Sequence, residues 1–156
     1  KSAVDLAWRR DFLGYSFWVA EGRRIRRRVA GKALEAMKQR VREITNRNGG
    51  RSLTAVAAEL KAYLTGWREY FQQAETLEVF RDLDGWVRHR LRCLQLKQWK
   101  RGTTAYRELR AQGASSDTAA RVAANTQRWW RTSALLLNSV LTNRFFDELG
   151  VPRLAP

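Results

Sequence analysis

The sequence predicts a mainly α fold, a helical bundle of three main helices plus short C-terminal helices, with a short N-terminal β-hairpin. Three observations predict it. Apolar residues recur at helical spacing through three long segments between residues 30 and 101. The links between those segments are short and carry stop and capping residues. Only the stretch before residue 30 alternates in the manner of strands. The 156 residues, 44% of them hydrophobic, suffice for a core. A chain of this size buries about two thirds of its unfolded surface.

The elements follow in order. Phe12 to Val19 (FLGYSFWV) is aromatic and β-prone, and Ala20-Glu21-Gly22 is a turn. Arg23 to Val29 (RRIRRRV) places Ile25 and Arg27 on one face and Arg24, Arg26 and Arg28 on the other, as in a solvated edge strand. These residues, 1–29, form the first unit. Residues 30–101 form the second, a three-helix bundle. Its first helix carries Leu34, Met37, Val41 and Ile44 at steps of three and four and stops at Asn48-Gly49-Gly50. Ser52 can cap the second helix, whose stripe is Leu53, Val56, Leu60, Leu64, Trp67 and Phe71. Thr76 can cap the third, with Phe80, Leu83, Val87, Leu91 and Leu94 on one side. Core expectations are Leu34, Val41, Leu60, Trp67, Phe80, Leu83 and Leu91. Residues 102–156 form the third unit, a helical extension packed on the bundle. It holds short helices at Thr103 to Gln112, closed by Gly113, and at Ser116 to Gln127. The aromatic run Gln127 to Arg131, an apolar stretch Ser133 to Val140 and a last turn at Asn143 to Leu149 complete it.

Charge narrows the function. Thirty Lys and Arg stand against fifteen Asp and Glu, a net of +15. Such self-repulsion is relieved by a polyanion, nucleic acid before an anionic membrane. Most of the excess is arginine, which pairs phosphate bidentately and stacks on bases. One cysteine, Cys93, makes no internal disulfide, and with the single histidine, His89, it cannot build a zinc site of three or four Cys/His ligands. No apolar run approaches the roughly 20 residues of a membrane span, and the first ten residues lack a signal-peptide core. The expectation is an intracellular (cytoplasmic), soluble protein. Opening on Lys rather than Met is expected of a piece of something longer.

The charge is also segregated. Residues 21–51 hold eleven basic and three acidic residues, and residues 86–101 hold six basic and none acidic. Residues 53–84 reverse the balance, with three basic and six acidic. On a helix, Arg88, Arg92, Gln95 and Trp99 fall within about 60° of one another, on a different side from Val87, Leu91 and Leu94. That face offers guanidinium, amide and indole together, suited to phosphate pairing and base stacking. The plain alternative is a solvated face whose Trp99 packs on a neighbour. The expected RNA contacts are Arg24, Arg26, Arg28, Lys32, Arg88, Arg92, Lys97, Trp99, Lys100 and Arg101. Trp129 and Trp130 read as core before base platforms, and His89 as a phosphate contact or a solvent-facing side chain.

Catalytic signatures are missing. No phosphate-binding glycine loop occurs, and one histidine gives no local triad signature. Two-metal nucleotidyl transfer needs converging carboxylates. Asp82 and Asp84 point about 200° apart on a helix, so they cannot share an ion. Asp147 and Glu148 sit in a short terminal helix. The chain therefore reads as having no catalytic residues and no metal site of its own.

Several segments resemble one family, in order and over essentially the whole chain. KSAVDLAWRRDFLGYSF resembles the end of the palm of bacterial group II intron reverse transcriptases, where Lys-Ser or Lys-Thr precedes an F-L-G-Y/F-x-F block. LKAYLTGWREYF (Leu60 to Phe71) is similar to that family's L-x-G-W-x-x-Y-F/Y segment, and FRDLDGWVRHRLRCLQLKQWKR (Phe80 to Arg101) to its long helix. NTQRWWRTS and NRFFDELGVPRL resemble its two C-terminal blocks. The resemblance implies the thumb, also called the maturase-specific or X domain. It implies binding to structured intron RNA for splicing, a hold on the template–primer duplex, and a palm domain of the parent chain as partner. The catalytic Tyr-Ala-Asp-Asp and palm aspartates of the parent, with the Mg expected there, would precede Lys1. No cofactor is expected in this part, and no role is assigned to Lys1. The DNA-binding region and Cys/His-rich endonuclease of some members are not expected before Pro156.

The sequence thus points to an RNA-binding thumb whose affinity is electrostatic first. A rival is a basic helical protein-interaction module that docks on a palm or partner domain through Phe12, Tyr15 and Phe17, with generic nucleic-acid affinity. A DNA-binding regulator is the third class, without a helix-turn-helix signature to support it.

Overall fold

A computed structural model describes Leu6, Trp8 and residues 10–155. The Lys1 position and six further residues of the opening family-like block lie outside the described residues. The N-terminal expectation of a hairpin is met by a three-stranded antiparallel sheet. Its strands are β1 (Asp11–Phe12), β2 (Tyr15–Val19) and β3 (Ile25–Val29), in that order across the sheet. Phe12 to Val19 is not one strand, because Leu13 and Gly14 both take positive φ, 48° and 77°. Two such residues make a tight turn of the type that matches strand twist, and Phe12 pairs with Tyr15 across it. From β2 to β3, Tyr15 faces Val29 and Trp18 faces Arg26. Arg26 and Arg28 therefore share one face and Ile25, Arg27 and Val29 the other, as the alternation requires.

The sheet is fastened to the helices at its inner end. Seven helices follow: α1 (Gly31–Ile44), α2 (Leu53–Tyr70), α3 (Leu77–Trp99), α4 (Gly102–Ala111), α5 (Ser116–Ala124), α6 (Trp129–Leu135) and α7 (Asn143–Glu148). The Tyr15 hydroxyl donates to the Tyr70 carbonyl at 2.6 Å, and the Tyr70 hydroxyl donates to the Leu13 carbonyl at 2.9 Å. Ala30 N donates to Gly14 O at 2.8 Å. Tyr15 thus packs on Phe71 and Tyr70 of its own chain. The β3 edge is partly closed by the α2–α3 link: Glu75 N donates to Arg27 O, and Arg27 N donates to the Glu75 carboxylate.

Three long helices make the bundle. Ser52 caps α2 by accepting from Ala55 N at 3.2 Å. Thr76 stands at the α3 N-cap but makes no cap bond, and its hydroxyl is buried without a partner. Met37, Val41, Val56, Leu60, Leu64, Val87 and Leu91 are buried in one continuous core. Leu34 is only partly buried, in a groove with Val79 and Trp86.

α3 is the hub. α2 packs along one side, while α6 and α4 contact it elsewhere. The C-terminal segments are built on α3 as much as on one another. Phe146, Leu137, Leu141, Val151 and Leu154 join the same core. This double coverage decides which basic side chains remain at the surface.

Candidate nucleic-acid interface

The expected face of Arg88, Arg92 and Trp99 is not a surface. Arg88 is 1% exposed, Arg92 4% and Trp99 7%. The reason is the C-terminal region, which covers this side of α3. Arg88 donates to Asp84 Oδ1 at 3.1 Å and to Asp147 on α7. Asp84 also accepts from Leu154 N and Ala155 N at 2.9 and 3.0 Å. Arg92 donates to the Leu141 carbonyl at 2.6 Å and to Asn143 Oδ1 at 2.9 Å, with its guanidinium over Phe146. Burial, then the charge of Arg88, lowers the Arg92 pKa to about 10, so it stays charged at neutral pH. These arginines act as clasps for the tail. Their guanidinium groups are committed to protein acceptors and do not reach a phosphate. An Arg88→Ala/Arg92→Ala pair therefore probes stability, not RNA contact.

A different face of α3 stays open. Trp86, Arg90 and Lys97 fall within about 40° of one another on the helix, and two neighbouring segments bring more cations to them. Arg42 of α1 and Arg90 both lie over the Trp86 ring, 5.7 and 5.5 Å from its centre. Arg47, just beyond α1, and Lys97 lie over Trp129, at 4.4 and 4.7 Å. Arg90 is held by Nε donating to Thr45 Oγ1 at 2.7 Å. Among the described residues, none of these four cations has a carboxylate at ion-pair distance. Burial and the nearby charges of Arg42 and Arg47 push the Arg90 pKa down. Like charge gathered without a counter-charge is unfavourable unless a polyanion meets it. The indole rings beneath hold the cations in place through cation–π attraction.

The remaining expected contacts are distributed around this face. Lys97 belongs to it, and with Lys100, Gln127 and Trp129 it lines a concavity of about 190 Å³. Lys100 and Arg101 are exposed at the α3–α4 joint, and Lys32 is exposed in the first turn of α1. Arg24 precedes β3, and Arg26 and Arg28 are exposed on the sheet, with Arg26 3.7 Å from Glu75. No described contact joins the sheet arginines to the Trp86–Trp129 cluster. Composition flagged the segments that hold Arg42, Arg47, Arg90 and Trp86, but not these residues. The available signal was the i, i+4, i+11 spacing of Trp86, Arg90 and Lys97.

His89 is partly buried and engaged with Trp130. It stacks on Trp130 at 3.9 Å, and Nε2 lies 2.9 Å from the Trp130 carbonyl, to which it donates. Burial lowers its pKa, keeping the ring neutral at pH 7. Trp129 is a half-buried platform under two cations, and Trp130 is 53% exposed. Among the described residues no three His, Cys, Asp or Glu side chains are placed to hold a metal ion. Asp84 and Asp147 are both paired with Arg88. No helix of the described residues is long and apolar enough to cross a membrane.

Comparison with known proteins agrees with the helical part of this picture. Residues 34–113, just over half of the chain, match the family described as "Group II intron, maturase-specific domain". The match spans α1 to α4, and so includes Arg42, Arg47, Trp86, Arg90 and Lys97. No curated protein matches the chain at a significant level.

Proposed function

Since the chain belongs to the group II intron maturase-specific domain family, we propose that it is an RNA-binding module that holds structured intron RNA against the Arg42–Arg47–Arg90–Lys97 face. The observation that carries the proposal is the gathering of four cations over two indoles without a carboxylate among them. Phosphates would replace the missing counter-charge. Release of their condensed counterions would supply most of the affinity. Helical RNA offers its backbone and shape more than its base edges, which suits a rigid cationic face. The four side chains are anchored by stacking and by Thr45, so less freedom is lost on binding.

In a parent reverse transcriptase the same module would hold the template–primer duplex, and a palm would pack against it. Mg²⁺ chemistry, splicing and polymerisation would depend on carboxylates of that palm and on the intron itself. The exposed Phe12, Leu13, Val19 and Ile25 would offer a palm an apolar surface.

The test is binding of a folded group II intron RNA beside equal-length duplex DNA and an unrelated folded RNA. Arg42→Gln/Arg90→Gln should weaken intron RNA binding about tenfold or more, the order expected for two lost phosphate contacts. Arg107→Gln, at an exposed site already paired with Glu108, should change little. Equal, weak binding to all three ligands, unchanged by Arg42→Gln/Arg90→Gln, would refute the proposal. It would favour a protein-docking role for the basic surface.

A further inference from the structure

A second concavity lies between α5 and α6. It encloses about 500 Å³, and its lining includes Arg121, Arg128, Arg131, Asn125, Leu135 and Leu136. Such a volume lies within the roughly 300–1,000 Å³ that small ligands and single residues of a polymer fill. It is too small for a duplex. Three arginines face it and no carboxylate lines it. Arg121 has a distant ion pair with Asp117 at 3.6 Å, both side chains being largely exposed. The Arg128 and Arg131 side chains have no described hydrogen-bond or ion-pair partner.

The rest of the lining has a different character. Leu135 is 66% exposed and stands beside Leu136, so one wall is apolar and open to solvent. The Asn125 amide nitrogen donates to the Arg121 carbonyl at 2.9 Å, which leaves its oxygen without a described donor. The Thr132 hydroxyl is spent on the Asn125 carbonyl at 3.0 Å. The site therefore presents cations for one or more negative groups, an apolar wall for a flat face, and one acceptor for an N–H. Those three features together describe a nucleotide: phosphate, base plane and exocyclic amine.

We propose that this concavity receives a single unpaired nucleotide extruded from the bound RNA, so that the domain reads a bulge as well as a helix. The proposal rests on the RNA-binding reading above and gives that RNA a local feature. An acidic peptide would satisfy the arginines too. The nucleotide is favoured by continuity along the chain. Gln127 and Trp129 line the concavity with Lys97 and Lys100, and Arg128 between them lines this one. The two concavities are thus lined by adjacent residues, and no carboxylate lines either one.

The experiment uses two RNA hairpins of identical stem, one fully paired and one with a single bulged 2-aminopurine. The paired variant is Arg128→Gln/Arg131→Gln with Leu135→Ser. All three positions are exposed, and a thermal melt confirms that the fold is kept. The expected result is about tenfold tighter binding of the bulged hairpin, the order of one charge-assisted contact. A change in 2-aminopurine fluorescence should accompany it, and both should be lost in the variant. Equal affinity for the two hairpins overturns the proposal, as does a bulge preference that survives in the variant. So does an acidic leucine-containing peptide that displaces the bulged hairpin while binding the pocket more tightly. Arg42→Gln/Arg90→Gln separates the two readings. If it weakens both hairpins alike while no bulge preference exists, the RNA face stands and the pocket assignment falls. If it weakens neither, the RNA face falls, and a bulge preference lost with the pocket variant still upholds the pocket.

Discussion

Arg88 and Arg90 stand two positions apart on one helix and meet opposite surroundings. Arg88 is walled in by α7 and the tail and is answered by two carboxylates. Arg90 leans on Thr45 and an indole and faces two other arginines. Removing one partner of a buried ion pair leaves the other charge stranded. Arg88→Ala should therefore cost about 3–5 kcal/mol of stability. Arg90→Gln removes a half-exposed cation–π contact worth about 1 kcal/mol. Urea denaturation of the two variants checks the contrast, and similar losses would refute the buried-pair role of Arg88. Asp147 gives the pH form of the same argument. Burial pushes its carboxyl up, but hydrogen bonds from Arg153 and Arg88 outweigh that and hold its pKa below the usual value. A lowered folded pKa means that the stabilisation is complete above the unfolded value, about 4, and is lost as pH falls through the folded one. Asp147→Asn should then melt below the parent protein at pH 7, and the two melting curves should converge towards pH 2. A constant gap over that range would refute the assignment.

At the scale of elements, periodicity was enough to place the three long helices, because each carries a stripe that only a 3.6-residue repeat gathers. What periodicity does not contain is how many sides of a helix are covered. α3 has one apolar side from Val87, Leu91 and Leu94. A second side, Arg88, Arg92 and Trp99, looks polar until Leu141, Asn143 and Asp147 supply acceptors from about fifty to sixty positions away. The candidate face was misplaced for that reason. The sheet shows a milder case. Leu13-Gly14 is not among the common turn pairs, so the break between β1 and β2 is visible only in the paired backbone. Gly102 makes a quantitative test of such long-range effects. It opens α4, where helix propensity favours alanine by about 1 kcal/mol. A Cβ there, however, would sit 2.6 Å from the Ala123 carbonyl oxygen of α5. That oxygen belongs to backbone, which cannot swing aside as a flexible side chain would. Gly102→Ala should destabilise the protein by about 1–3 kcal/mol in a urea titration, reversing the sign that propensity alone assigns. A stabilised variant would show that α4 and α5 are not held this close.

Over the whole molecule, the fifteen acidic residues do not dilute the thirty basic ones evenly. Several carboxylates are committed to arginines that tie segments together: Glu59 to Arg40 and Arg51, Asp84 to Arg88, and Asp147 to Arg88 and Arg153. The excess that remains is concentrated on side chains without acidic partners, among them Arg42, Arg47, Arg90, Arg128 and Arg131. Two opposite salt effects follow. In the free chain, added salt screens the repulsion within that excess, since the Debye length shrinks from about 10 Å at 0.1 M to 3 Å at 1 M. Its melting temperature should rise with NaCl. In the complex, the same salt removes the entropy gained by counterion release, so RNA affinity should fall by several orders of magnitude across the same range. Arg42→Gln/Arg47→Gln should blunt both effects: a smaller rise in melting temperature, and a log–log salt slope shallower by about 1–2. If the variant alters the slope of binding but leaves the salt response of melting untouched, the repulsion is not centred on this face. If it alters melting alone, RNA meets the protein elsewhere, and the arginines of α5 and α6 become the principal contact to test.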